Sequence, residues 1–364
     1  MKRRSVARKT SIRITEVLLF ALVVNFLVLP QIGGTRRAIS LLSQLNLGLV
    51  AIGLAAELVS IVAYAQLVRA LLEPEHRPSL GRTTRIMFSG LAVNNVVPSG
   101  GAAGGALAFR QLREVGVPAT EAGFALGAQS IGSTVVLNSL LWLSLVVAIP
   151  LEGFNPLYAA AAGVGALLLA VIGGLVVALT QGRDASMRLA SRVARFIPRL
   201  SPETLSAFVG RISERLDDLA AHPGALRKAV LWSAAHWLLD AASLYVFIWA
   251  FGYRVRPDEL FIAYGIANVL AAIPITPGGL GVVETTLIVA LVGFNTPRAV
   301  AGLGVATYRL VSYWLPIPIG AASYLSLRFV RGGTAAAREE MRRAVDQARA
   351  DAPKARRDGT VIMP

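Results

Sequence analysis

Pro274-Ile275-Thr276-Pro277-Gly278-Gly279-Leu280-Gly281-Val282-Val283-Glu284 cuts an apolar run with two prolines and three glycines, a density that no continuous helix tolerates. The apolar residues ahead of it, Leu260 to Ile273, are too few to cross a membrane. A helix of about 12 residues rises 1.5 Å per residue and reaches about halfway through a hydrocarbon core of about 30 Å. Asn94-Asn95-Val96-Val97-Pro98-Ser99-Gly100-Gly101 ends the stretch Ile86 to Val97 in the same way. Both patterns predict re-entrant helical hairpins, at 86–110 and 259–293, each with a glycine-rich turn between two short helices. A bilayer accepts such broken backbone only where protein covers it or where it lines a cavity.

Around the hairpins stand six apolar stretches long enough to span: Ile14 to Pro30, Leu45 to Leu72, Glu121 to Ile149, Leu157 to Thr180, Ala229 to Phe251 and Ala299 to Leu327. Of the 364 residues 55% are hydrophobic and only 16% charged, with a mean hydropathy of +0.60. Soluble domains carry about a quarter charged residues. The sequence therefore predicts an all-α, polytopic integral membrane protein with six full spans plus two hairpins. Residues 14–149 read span, span, hairpin, span, and 157–327 repeat that order from the opposite side, which makes two inverted-topology repeats. Paired, interrupted segments at matching places in two halves point to a transporter's binding site.

The remaining segments are a basic N-terminus (1–13), an amphipathic insert within the second half (181–228) and a basic, partly disordered tail (328–364). Thirty of the 36 Lys and Arg residues fall on the side that holds both termini. The positive-inside rule makes that side cytoplasmic, in the cell membrane. This distribution accounts for the net charge of +15 without nucleic acid, which would need a basic face on a folded domain. Zero cysteines exclude thiolate chemistry, and three histidines leave little for a metal site. No metal or cofactor is expected.

Charges within apolar spans cost about 2.5–3.5 kcal/mol each at the bilayer centre, so each is a candidate. Glu57 and Asp240 lie mid-span before the first and second hairpins. His236 shares a helix face with Asp240, and all three are candidates for proton or ion coupling; the alternatives for the His236–Asp240 pair are acid/base work in an enzyme and a satisfied polar contact between helices. Asn94 and Asn95 enter one break. Arg309, in the last span, could take a lipid phosphate by a bidentate contact. Its structural alternative is an ion pair with Glu57, Asp240 or Glu284. Glu284 opens the helix after the second break, where a carboxylate complements the dipole. Arg110 could gather anionic headgroups or merely snorkel.

The two broken motifs, together with Arg110, Tyr308-Arg309 and Tyr313-Trp314, resemble the lysylphosphatidylglycerol synthase transmembrane-region family, also called the flippase-like domain family. The likeness spans roughly Ile14 to Leu327. In that family's aminoacyl-lipid synthases, the membrane part moves aminoacylated phosphatidylglycerol between leaflets after a cytoplasmic transferase domain makes it. Only a short tail follows Arg328, so the expectation is a free-standing member lacking the aminoacyltransferase domain. The resemblance implies substrate-binding roles for Arg309, Glu284, Gly278, Gly279, Gly100, Gly101, Asn94, Asn95 and Arg110, and no catalytic residue.

The resulting expectation is a translocator of an anionic, aminoacylated or polyprenyl-linked lipid. Its partners would be membrane lipids and a separate lipid-modifying enzyme, and a homo-oligomer is left open. The rival readings are a membrane-embedded transferase acting on a lipid-linked substrate, and a scaffold or small-solute carrier.

Overall fold

The computed structural model describes residues 45–97, 100–152, 223–271 and 276–328, with scattered helical positions between 159 and 170. The expected spans Ile14 to Pro30 and Leu157 to Thr180, the N-terminus, most of the insert and the tail lie outside the described residues. Within them the chain is all helix: α1 Leu47–Ala70, α2 Leu80–Val96, α3 Gly100–Glu114, α4 Ala119–Glu152, α5 Pro223–Ala250, α6 Pro257–Ala271, α7 Val282–Gly293 and α8 Arg298–Arg309. A π-helical turn, Leu310–Trp314, follows α8, and the same rod runs on to Arg328.

Among the described residues four helical stretches are long and apolar enough to cross a bilayer: Leu47–Ala70, Ala119–Val146, Gly224–Ala250 and Arg298–Arg328. They coincide with four of the six expected spans. Only 28–39% of each span's most apolar stretch is buried by protein. The rest, including Ile52, Val59, Leu143, Val146, Leu231, Leu238 and Leu325, is apolar surface for lipid.

Local signals explain the boundaries. Asn46 caps α1, its Oδ1 accepting from Leu49 N at 3.1 Å, and its own N–H donates to Ala250 O at the end of α5. Pro257 opens α6, with Asp258 and Glu259 in the first turn to complement the dipole. The first arm of the first break is longer than the hydropathy implies. It starts at Leu80 and makes 17 residues, because the polar run Gly81 to Arg85 is helical too. Its short connection to α1 is clasped to α4. Glu121, buried at the start of α4, accepts from Glu73 N with one oxygen and meets His76 Nδ1 at 2.8 Å with the other.

Packing sets the frame. The central pair is α1 with α5, where Gly53 lets the Phe247 ring approach. On one side α2 packs against α3, and on the other α6 packs against α7. Each first arm also meets a long span: Gly265 of α6 lies against Leu141 of α4, and Gly320 of the last span lies against Phe88 and Ala92 of α2. The largest buried side chains, among them Phe247, Leu244, Ile248, Tyr264, Leu287 and Leu291, form one core at the α5–α6–α7 junction.

Candidate functional site

The two sequence breaks meet. After α6 the chain makes a 3-10 turn, Pro277–Gly279, with Gly278 at φ 51° and Gly279 at φ 69°. Glycine is required there because L side chains rarely adopt positive φ. A Cβ on Gly278 would also lie 2.7 Å from the Tyr313 ring and 2.8 Å from Asn95 Oδ1. Tyr313 stands in the π-helical turn, where the i→i−4 ladder is displaced and a carbonyl is free for an outside donor. Its carbonyl accepts from Asn95 Nδ2 at 2.8 Å, and its hydroxyl donates to the Asn95 carbonyl. One tyrosine thus fastens the end of α2 to the second break.

Arg309 and Glu284 complete this junction. Glu284 Oε1 accepts from Arg309 Nε at 2.6 Å, and Oε2 accepts from Gly281 N at 2.6 Å at the start of α7. Arg309 Nη2 donates to Gly278 O at 3.2 Å, and the guanidinium lies 4.6 Å from the Tyr313 ring centroid. Of the two readings for Arg309, the ion pair with Glu284 is the arrangement present. A phosphate would have to displace that carboxylate to take the Nε–Nη2 edge of the guanidinium in a bidentate contact.

A second polar centre lies in the α1–α5 interface. Asp240 accepts from Tyr264 OH at 2.6 Å on one oxygen and from Tyr308 OH at 2.8 Å on the other. Glu57 stands beside Asp240 and Ser243, yet its Oε2 has no hydrogen-bond partner. Both carboxyl groups are buried, at 4% and 8% exposure, which removes water as a compensating partner. His236 does not bond Asp240, its neighbour on the helix. Its Nδ1 faces Ser60 of α1 instead, at 3.1 Å from the carbonyl and 3.3 Å from the hydroxyl.

The third feature is a groove of about 300 Å³ bounded by α1, α2, α3 and α4. Its polar groups are Tyr64, Asn94, Gln129 and Ser130, and Gly90, Gly101, Gly104 and Gly105 form much of its floor. Among the described residues no Lys or Arg lines it. Gly100 begins α3, so the positive end of that helix dipole lies at the groove beside Gly101.

The sequence-selected residues therefore divide into three groups. Asn95, Gly278, Gly279, Glu284 and Arg309 come together at the junction, Asn94 and Gly101 line the groove, and Glu57 joins Asp240. Arg110 stands apart at the far end of α3, paired with Glu114 at 3.4 Å and reaching Tyr324. Sequence reasoning missed Tyr264 as a partner of Asp240, and Gln129 in the groove. An amide inside the apolar run of α4 was the available signal for Gln129. For Tyr264 there was none, because a tyrosine in an apolar helix reads as core.

The sequence pattern described as lysylphosphatidylglycerol synthase TM region matches residues 13–320. The chain belongs to that family. Among its relatives is a UPF0104 membrane protein of Pyrococcus horikoshii, 20% identical over 324 residues, covering 83% of this chain and 94% of the relative. A UPF0104 membrane protein of Methanothermobacter thermautotrophicus is 26% identical over 165 residues, 43% of this chain and 49% of that one. Glycosyltransferase AglD of Haloferax volcanii is 30% identical over 177 residues, 46% of this chain but 27% of its own length. The last two matches thus span half or less of those relatives. The protein is therefore a multi-pass, membrane-embedded member of that family.

Proposed function

We propose that the protein moves a lipid between leaflets, holding a phosphate-linked, hydroxyl-bearing headgroup in the groove between α1, α2, α3 and α4. The groove is the observation that carries this reading. It lies beside the first broken turn, in a chain whose outer surface is apolar, so a headgroup can enter while its acyl or prenyl chains stay in lipid. Asn94, Gln129, Ser130 and Tyr64 offer amide and hydroxyl hydrogen bonds suited to a polyol or sugar. The start of α3 offers a dipole to the phosphate. A relative named as a glycosyltransferase is in keeping with a glycosylated lipid as cargo.

In this reading the two halves are inverted repeats, with cytoplasmic termini and the junction at Tyr313 as the contact about which they rock. The matching places of Glu57 and Asp240, and of the Gly265–Leu141 and Gly320–Ala92 crossings, support that symmetry. Arg309 and Glu284 then hold the junction rather than the headgroup.

The test is a vesicle assay with fluorescent phosphatidylglycerol and phosphatidylcholine, the second lacking headgroup hydroxyls. Phosphatidylglycerol should cross faster. The double variant Asn94→Ala/Gln129→Ala should slow it about tenfold, since two hydrogen bonds of about 0.5–1.5 kcal/mol each are lost. Equal rates for both lipids, unaltered by the double variant, would remove the groove as the headgroup site.

A further inference from the structure

Two polar stripes face each other across the most extensive helix interface. On α1, Glu57, Ser60 and Tyr64 recur at helical spacing, and on α5, His236, Asp240 and Ser243 do the same. They run from the groove to the buried acid pair. Tyr64 lines the groove beside Gln129, and the His236 ring lies 4.9 Å from the Tyr64 ring. His236 Nδ1 reaches Ser60, one helical turn from Glu57, and Glu57 stands against Asp240. Every residue in this series has a hydroxyl, imidazole or carboxyl group able to pass a proton.

We propose that Glu57 and Asp240 form a proton-carrying pair, loaded from the groove through Tyr64, His236 and Ser60, that couples lipid movement to a pH gradient. This deepens the translocator reading and rests on it for the transport step. Asp240 accepts two hydroxyl hydrogen bonds, as an ionised carboxylate does. Glu57 has an orphaned, buried oxygen, and a second negative charge beside Asp240 would be opposed by repulsion away from water. A proton on Glu57 removes that repulsion.

Among the described residues, few oxygens beyond the acid pair are left for a metal cation. Both Asp240 oxygens are taken by tyrosines, which leaves Glu57 Oε2 and Ser243 Oγ as orphaned oxygens, against the six or more that a hard cation such as Ca²⁺ collects.

The other charged and titratable groups facing the pair are Tyr264 of α6 and Tyr308 and Arg309 of α8, with Glu284 of α7 behind Arg309. Through Tyr308 and its neighbour Arg309, a change of one charge at the pair is felt at the junction of the two breaks. The proton enters and leaves as H⁺, with no covalent bond made elsewhere.

Two measurements separate this proposal from the reading beneath it. In vesicles with an imposed pH gradient, the wild-type rate should change at least threefold relative to no gradient, and the ratio should fall to one in Glu57→Gln and in Asp240→Asn. A wild-type rate indifferent to the gradient overturns coupling and leaves translocation standing. Infrared spectroscopy of the purified protein should show the C=O stretch of a buried, protonated carboxylic acid, lost in Glu57→Gln. That band surviving in both variants overturns the pair as proton carrier. Absence of lipid movement under every gradient overturns the transport step, while the infrared result still decides the protonation.

Discussion

Arg309→Met is expected to lower stability by about 3–5 kcal/mol, the cost of leaving one member of a buried ion pair uncompensated. The side chains of Arg309 and Glu284 are 11% and 15% exposed, and their contact is 2.6 Å. Removal of the guanidinium strands Glu284 Oε1, frees the Gly278 carbonyl and uncovers one face of Tyr313. Glu284→Gln should cost less, because its amide oxygen can still accept from Gly281 N. The double variant should recover part of the loss, since no charge is then left alone. Thermal unfolding and monodisperse yield in detergent measure all three. A stable Arg309→Met protein that no longer moves lipid would instead place the guanidinium on the headgroup, as the sequence motif first suggests.

The outline was legible because breaks and spans obey one-dimensional rules. A run such as Pro277-Gly278-Gly279 after 14 apolar residues cannot cross a bilayer as one helix, whatever surrounds it. The same rules identify Glu57, Asp240 and Arg309, because charge in an apolar run is conspicuous. What they do not contain is the choice of partner. His236 and Asp240 share a helix face, yet α1 places Ser60 opposite the histidine and Glu57 opposite the aspartate, so the polar contacts of both run between helices and their partners could not be named from spacing. Arg309 had three carboxylates to choose from. Glu284 takes it because the positive-φ turn at Gly278 carries the start of α7 to the last span, a distance no spacing argument measures.

The groove was hidden for a different reason. Four of its lining residues are glycines, whose contribution is missing volume, and a sequence records residues rather than the gaps between helices. Of these only Gly101 stood out in the sequence, through its motif, and the glycines also make close helix contact: a Cβ on Gly104 would stand 2.5 Å from the Gly90 carbonyl. One stripe therefore serves two ends, joining α2 to α3 along Gly90 and Gly104 and leaving room beside it.

Gly320→Ala should be among the costliest single-methyl additions in the fold. The new Cβ would lie 2.2 Å from the Phe88 carbonyl oxygen and 2.6 Å from Ala92 Cβ, so the backbone of α2 itself must move. Overpacking costs about 1–3 kcal/mol where side chains can adjust, and a carbonyl inside a helix has no rotamer to change, which puts this site at the upper end. Gly265→Ala is the informative comparison, because it meets the Leu141 side chain at 2.9 Å, and a leucine can turn aside. Gly81→Ala meets nothing within 4 Å and should stabilise by up to about 1 kcal/mol through helix propensity alone. Chemical or thermal unfolding of the three should therefore rank Gly320→Ala lowest and Gly81→Ala highest. The first should also lose lipid movement out of proportion to its stability, because α2 carries Asn94 to the groove and Asn95 to Tyr313. If Gly320→Ala matched Gly265→Ala in both respects, the last span and α2 would not be in backbone contact, and the Asn95–Tyr313 fastening would lose its support.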